Sequence, residues 1–98
     1  MSLPIVLRPE AAADIRWARG WYEAQRAGLG DDFAEAVDQL FARIQNSPEI
    51  YEIAHGNVRR GKLKRFPYVV YYRVHPDRIE VIAALHGSRH PRTWRGRI

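Results

Sequence analysis

Ninety-eight residues without a cysteine carry 16 Lys+Arg against 11 Asp+Glu, a formal charge of +5, with 46% hydrophobic and 11% aromatic residues. That length holds one domain, residues 1–98, which buries roughly 65% of its unfolded surface. The composition excludes a disulfide framework, a thiol nucleophile and a thiolate metal site, and no apolar run approaches the ~18 residues a membrane span needs.

The chain opens on a short apolar strand, Leu3 to Leu7. It lacks a basic stretch ahead of an apolar run, so it reads as a strand and not as a signal peptide, and the expected compartment is the cytoplasm. Pro9 suits a first helical position, and Glu10 and Asp14 favour the positive end of the helix dipole. Ala11, Ile15, Ala18 and Tyr22 repeat at one-face helical spacing, with Trp17 and Trp21 in a second row. The helix is therefore expected to be apolar over a wide arc and to end at Gly28-Leu29-Gly30. Asp32 and Glu35 have the spacing of a capping box. Phe33, Val37, Leu40, Phe41 and Ile44 then trace the apolar face of a second helix, closed by Asn46-Ser47-Pro48.

Past Gly56-Asn57 the period becomes that of strands. Val58 to Phe66 is a basic strand, and Tyr68 to Val74 is apolar or aromatic enough to be a central strand buried on both faces. His75-Pro76-Asp77-Arg78 forms a turn. Ile79 to Leu85 is the last strand, with Ile79, Val81, Ala83 and Leu85 expected on one face. The order β-α-α-β-β-β predicts an α+β domain, a helical hairpin packed on a small, mainly antiparallel sheet.

Charge is divided along the chain. Residues 1–57 hold five arginines and nine acids, a net of −4, whereas residues 58–98 hold eleven Lys/Arg and two acids, a net of +9. Basicity therefore belongs to the sheet and tail, where it suits phosphate or an acidic protein partner. Its densest part is Arg59-Arg60-Gly61-Lys62-Leu63-Lys64-Arg65. Alternation puts Arg60, Lys62 and Lys64 on one face, which must look outward because a core cannot take three charges.

The tail from His86 to Ile98 adds His86, Arg89, His90, Arg92, Trp94 and Arg95. Two histidines beside cations supply the ingredients of a metal-free ribonuclease, namely a base, an acid and charge to stabilise the phosphorane. The spacing alone is weak support for that chemistry, and the structural reading, with polar residues covering the sheet edge and Trp94 docking the tail, is favoured over it. His55, His75, His86 and His90 show no metal-ligand spacing, and there is no Gly-rich phosphate loop, so no cofactor is expected. Two tryptophans four apart can leave a ring exposed beside a groove that binds a partner.

The element order, Val6-Leu7-Arg8-Pro9-Glu10-Ala11 with Asp14-Ile15, Trp21-Tyr22-Glu23, Gly28-Leu29-Gly30 with Phe33, and Ser47-Pro48 with Tyr51 together resemble the ParE-type toxins of the RelE/ParE superfamily. The most specific stretches are Val58-Arg59-Arg60, Arg65-Phe66-Pro67-Tyr68-Val69-Val70-Tyr71-Tyr72-Arg73 and Leu85-His86-Gly87-Ser88-Arg89-His90-Pro91 with Trp94. The resemblance implies a RelE/ParE-like fold and the toxin half of a bacterial type II toxin–antitoxin pair. It implies an acidic, amphipathic antitoxin as partner, with DNA bound only through that antitoxin.

ParE-like members inhibit DNA gyrase by contact, without chemistry of their own. RelE-like members cleave mRNA in the ribosome without metal. For the first branch, the contact residues carried by this chain are Arg59, Arg60, Lys62, Lys64, Arg89, Arg92, Trp94 and Arg95. For the second, Lys62, Lys64, Arg65, His86, Arg89 and His90 would surround the scissile phosphate. Val69 stands where those ribonucleases place an arginine, and Trp94 stands where they often have a tyrosine, which favours the ParE branch. A plain nucleic-acid-binding module is disfavoured, because no exposed aromatics interleave the basic strand and no helix has a basic face.

Overall fold

Strand β1 (Ile5–Leu7) turns directly into α1 (Pro9–Gln25), which Pro9 opens as expected. This computed structural model describes residues 2–98. Helix α1 returns through a tight turn into α2 (Leu29–Asn46), and the chain then forms β2 (Ile53–His55), β3 (Val58–Lys62), β4 (Tyr68–Val74), β5 (Ile79–His86) and the one-turn helix α3 (Arg92–Arg95). The sheet order is β1-β5-β4-β3-β2, with β1 parallel to β5 and every other pair antiparallel. This is the expected α+β architecture with one additional strand.

The hairpin lies on one sheet face. Ala11 and Ala18 of α1 and Phe33, Val37, Leu40 and Ile44 of α2 are buried against Val70, Tyr72, Ile79 and Val81. An aromatic cluster joins the layers: Tyr22 stacks on Phe33 at 5.3 Å and meets Phe66 edge-on at 4.9 Å, while Tyr68 packs 5.2 Å from Phe33. The opposite face has a second core of Val58, Val69, Tyr71, Ile82, Ala83 and Leu85, closed by Trp94. Strand β4 is central and covered on both sides, as its composition requires.

Several expectations are corrected. Helix α2 starts at Leu29, ahead of Asp32, with Gly28 at φ 90° before it. No capping box forms. Instead the Glu23 carboxylate accepts the N–H groups of Gly28 and Gly30, both at 3.0 Å, from the preceding helix. The basic strand ends at Lys62, because Arg65 adopts φ 73° and the chain bends, with Leu63 N–H donating to the Tyr68 carbonyl at 3.0 Å.

Strand β2 goes beyond the predicted order. Its short Ile-Ala-His run becomes a strand only because the Gly56-Asn57 turn folds it onto β3. In β5 a bulge lies opposite Tyr71/Tyr72, so Ile82 and Ala83 both join the second core. One extra residue reverses the alternation, so Ala83 and Leu85 face away from Ile79 and Val81. Trp17 and Trp21 are 66% and 48% exposed, so the buried arc of α1 is narrower than its composition suggests.

Candidate functional site

Val58 is fully buried in the second core, which sets the orientation of β3. Arg60 and Lys62, two and four residues on, share its face, away from the hairpin. Arg60 lies half-buried at 3.8 Å from Glu52, and Lys62 is exposed. Arg59 takes the other face and donates to the carbonyls of Tyr51 (2.7 Å) and Glu49 (3.1 Å), so it ties down the loop between α2 and β2. At Gly61 an added Cβ would approach Leu40 to 3.2 Å, so the strand meets α2 through a glycine.

Lys64 is exposed beyond the strand end. Arg65 stands 3.6 Å from Asp32, with its guanidinium 5.6 Å from the Phe66 ring. Lys62 and Arg65 line one shallow pocket with Leu63, Phe66 and Pro67.

The tail crosses the second face. Gly87 N–H donates to the Pro67 carbonyl at 2.7 Å and Arg89 N–H to the His86 carbonyl at 2.9 Å. Trp94 turns inward, 3% exposed, and stacks on Tyr71 with ring centroids 4.5 Å apart. That leaves Arg92 and Arg95 at the surface, with the Arg95 guanidinium 5.4 Å from the Trp94 ring. Arg60 and Arg95 line one pocket with Glu52, Ile53 and Tyr71, so strand and tail cations converge.

A groove of about 400 Å³ lies between α1 and the end of β5. Trp17, Tyr68 and Leu85 give it apolar walls, His86 and Arg89 lie along it, and Asp14 adds a carboxylate. Burial pushes the Tyr68 phenol above its ordinary value, with Tyr22 adding to the rise and Arg89 opposing it. His86 sits 5.7 Å from Tyr68 and engages Ser88 through Nδ1, at 2.8 Å from Oγ. His90 Nδ1 accepts the Arg92 N–H at 3.1 Å. The ribonuclease candidates therefore fall into separate places: His86 and Arg89 in the groove, Lys62 and Arg65 in the pocket beside Pro67, and His90 in the tail turn.

The family model described as "ParE toxin of type II toxin-antitoxin system, parDE" matches residues 5–91, nearly the whole chain. The chain belongs to the ParE toxin family. Its fold agrees with that of a solved chain from the "Chromosomal ParDE TA system from P. aeruginosa", with a TM-score of 0.65 at 16% identity. That match covers 87% of this chain and 96% of the other. No curated protein matches by sequence. Among the described residues, no helix is long and apolar enough to cross a membrane, and no group of three or more His, Asp or Glu side chains is placed to hold a metal ion.

Two sets of ordered polar residues in this ParE fold are not among the sequence-derived candidates, although Asp14 borders the groove that holds His86 and Arg89. Arg97 pairs with Asp14 at 2.7 Å, and Glu80 collects His75 at 2.8 Å and Arg73 at 3.2 Å. Asp14 belongs to the stretch that carries the ParE resemblance. Nothing in the sequence marks Arg97, because its partner lies 83 positions away.

Proposed function

We propose that this ParE-family toxin inhibits DNA gyrase by protein contact and is neutralised by a cognate acidic antitoxin. Val69 carries the choice against the ribonuclease reading. It is 2% exposed within the second core, so an arginine there would bury its charge among Val58, Leu85 and Tyr71. Trp94, where a tail tyrosine would stand, packs inward and has no hydroxyl to donate. The contact surface is then the outward cations Arg60, Lys62, Lys64, Arg89, Arg92 and Arg95, with Arg59 and Trp94 holding the loop and tail beneath them.

The antitoxin reading rests on two features side by side. The +9 half of the chain supplies cations for an acidic segment, and the Trp17–Tyr68–Leu85 groove accepts its apolar side chains. The site of action is the cytoplasm, where gyrase works.

The test is a supercoiling assay with purified gyrase, alongside a cleavage assay on ribosome-bound mRNA. Inhibition is expected, relieved by the acidic protein encoded beside the toxin and weakened at least about tenfold in Arg60→Glu/Lys62→Glu. Unimpaired supercoiling together with site-specific mRNA cleavage that His86→Ala abolishes would instead establish the ribonuclease.

A further inference from the structure

Strand β1 covers only the first part of β5. Its ladder runs from Ile79 N–H to the Pro4 carbonyl at 2.9 Å and ends where Arg8 N–H donates to the Val81 carbonyl at 3.0 Å. The chain then leaves the sheet to begin α1, and among the described residues the rest of the β5 edge has no neighbouring strand. Backbone groups left bare on such an edge must be satisfied or they template pairing with another chain.

Two side chains continue the ladder. Asp14 Oδ2 accepts the Ala84 N–H at 3.0 Å, and Arg97 Nη1 donates to the Ile82 carbonyl at 3.2 Å. The two then bind each other: Nη1 lies 2.7 Å from Oδ2 and Nη2 lies 3.2 Å from Oδ1. Their side chains are 14% and 18% exposed, so the pair is shielded from solvent. Arg8 donates in turn to the Arg97 carbonyl, which clamps the end of the chain to the start of α1.

Arg97 lies two residues beyond α3, and its N–H donates to the Trp94 carbonyl at 3.0 Å. The tail from Gly87 to Ile98 thus has three fastenings: the Gly87 turn at one end, Trp94 stacked on Tyr71 in the middle, and the Asp14–Arg97 pair at the other end. A four-residue helix cannot hold its own shape in water. The fastenings therefore decide where Arg92 and Arg95 stand.

We propose that Asp14 is a positioning residue, which latches the C-terminal segment through Arg97 and so holds Arg92 and Arg95 on the second sheet face for target contact. This rests on the reading of that face as the contact surface. It gives a task to Arg8 and Asp14, two residues of the family-like opening stretch, of which Asp14 also borders the groove beside Arg89. Donating hydrogen bonds to the Asp14 carboxylate also raises the Arg97 pKa above its ordinary value, consistent with a guanidinium committed to this carboxylate.

The experiment compares the full chain with Asp14→Asn, Arg97→Gln, Arg97→Lys and the double variant Asp14→Asn/Arg97→Gln. Asparagine keeps an acceptor for the Ala84 N–H, so the first change removes the charge while leaving the sheet edge satisfied. The readouts are amide hydrogen exchange by residue and growth arrest on induced expression. Growth arrest registers toxicity whatever the target is. Exchange at residues 94–98 should rise about tenfold in each of Asp14→Asn and Arg97→Gln, the order expected for a lost charge-assisted hydrogen bond. The helical hairpin should stay protected, the double variant should be no worse than the more affected single, and Arg97→Lys should recover most of the protection and toxicity.

Unchanged tail exchange in Asp14→Asn, additive effects in the double variant, or an equal loss of protection in α1 and α2 would each overturn the latch. A loosened tail with full toxicity would overturn the positioning role. A wild-type chain that arrests growth while leaving gyrase untouched would refute the gyrase reading alone, because the latch is scored on exchange and growth. A wild-type chain that arrests nothing would overturn both.

Discussion

Glu80 faces Arg73 across the β4–β5 ladder, 3.2 Å away, and its Oε1 also meets His75 Nε2 at 2.8 Å. These partners, with His75 first, hold its carboxyl below the ordinary 4.5, against the opposing effect of burial. A lowered folded pKa gives stability that is complete above the unfolded value and lost as pH falls through the folded one. Urea midpoints should therefore drop more steeply between about pH 5 and about pH 3 for the wild type than for Glu80→Gln. At neutral pH the same variant should be destabilised by about 1–3 kcal/mol.

Tyr72 behaves oppositely. Its phenol is buried, donates to the Pro48 carbonyl at 2.5 Å, and is pushed up to about 12. Its contribution is intact below the ordinary 10.0 and disappears as pH rises toward that higher value. Tyr72→Phe should cost about 1 kcal/mol in chemical denaturation and loosen the Ser47-Pro48 loop. Both residues stood in plain view in the sequence, Tyr72 within a stretch that reads as central strand. Their partners did not, because an antiparallel register and a distant loop carbonyl are set only when the sheet forms.

Among the elements, the α1–α2 hairpin was legible from periodicity, and its close approach was not. An added Cβ at Gly30 would come within 2.8 Å of the Arg19 carbonyl, a backbone atom that cannot swing aside. Gly30→Ala should separate the helices and cost about 1–3 kcal/mol, read as a lower urea midpoint with an unchanged slope. Helix α3 has the reverse history: nothing in its composition demands a helix, and Trp94 forms one only by settling on Tyr71. Trp94→Ala should cost about 3–5 kcal/mol and deprotect the second core around Val58 and Leu85 in hydrogen exchange. The β5 bulge was also invisible in advance. Strict alternation put Ala83 and Leu85 on one face with Ile79 and Val81, whereas a single extra residue turns them to the opposite, tail side.

For the whole molecule, the split of −4 and +9 becomes a division in space. The acids concentrate in the helical half, while Arg60, Lys62, Lys64, Arg89, Arg92 and Arg95 ring the sheet end and the tail. A surface of one sign accelerates encounter with an acidic partner, and salt screens that effect. Association of the toxin with its antitoxin should slow about tenfold in Arg60→Glu/Lys62→Glu, with a shallower dependence on ionic strength by stopped-flow fluorescence. The exposed Trp17 is placed to report that encounter, since it lines the groove beside Arg89.

By itself the sequence determined the helical hairpin, the central strand, the outward set of Arg60 and Lys62, and the family. The first three follow from local rules, namely a helical or strand period, proline and glycine punctuation, and the exclusion of unpaired charge from a core, whereas the family follows from the resemblance of its motifs. Only the tertiary structure decided that Arg59 holds a loop, that Trp94 faces inward, and that Asp14 and Arg97 complete a strand edge. The last depends on which backbone groups lack a partner once β1 turns away, and all three on contacts between distant segments that exist only after the chain has closed on itself.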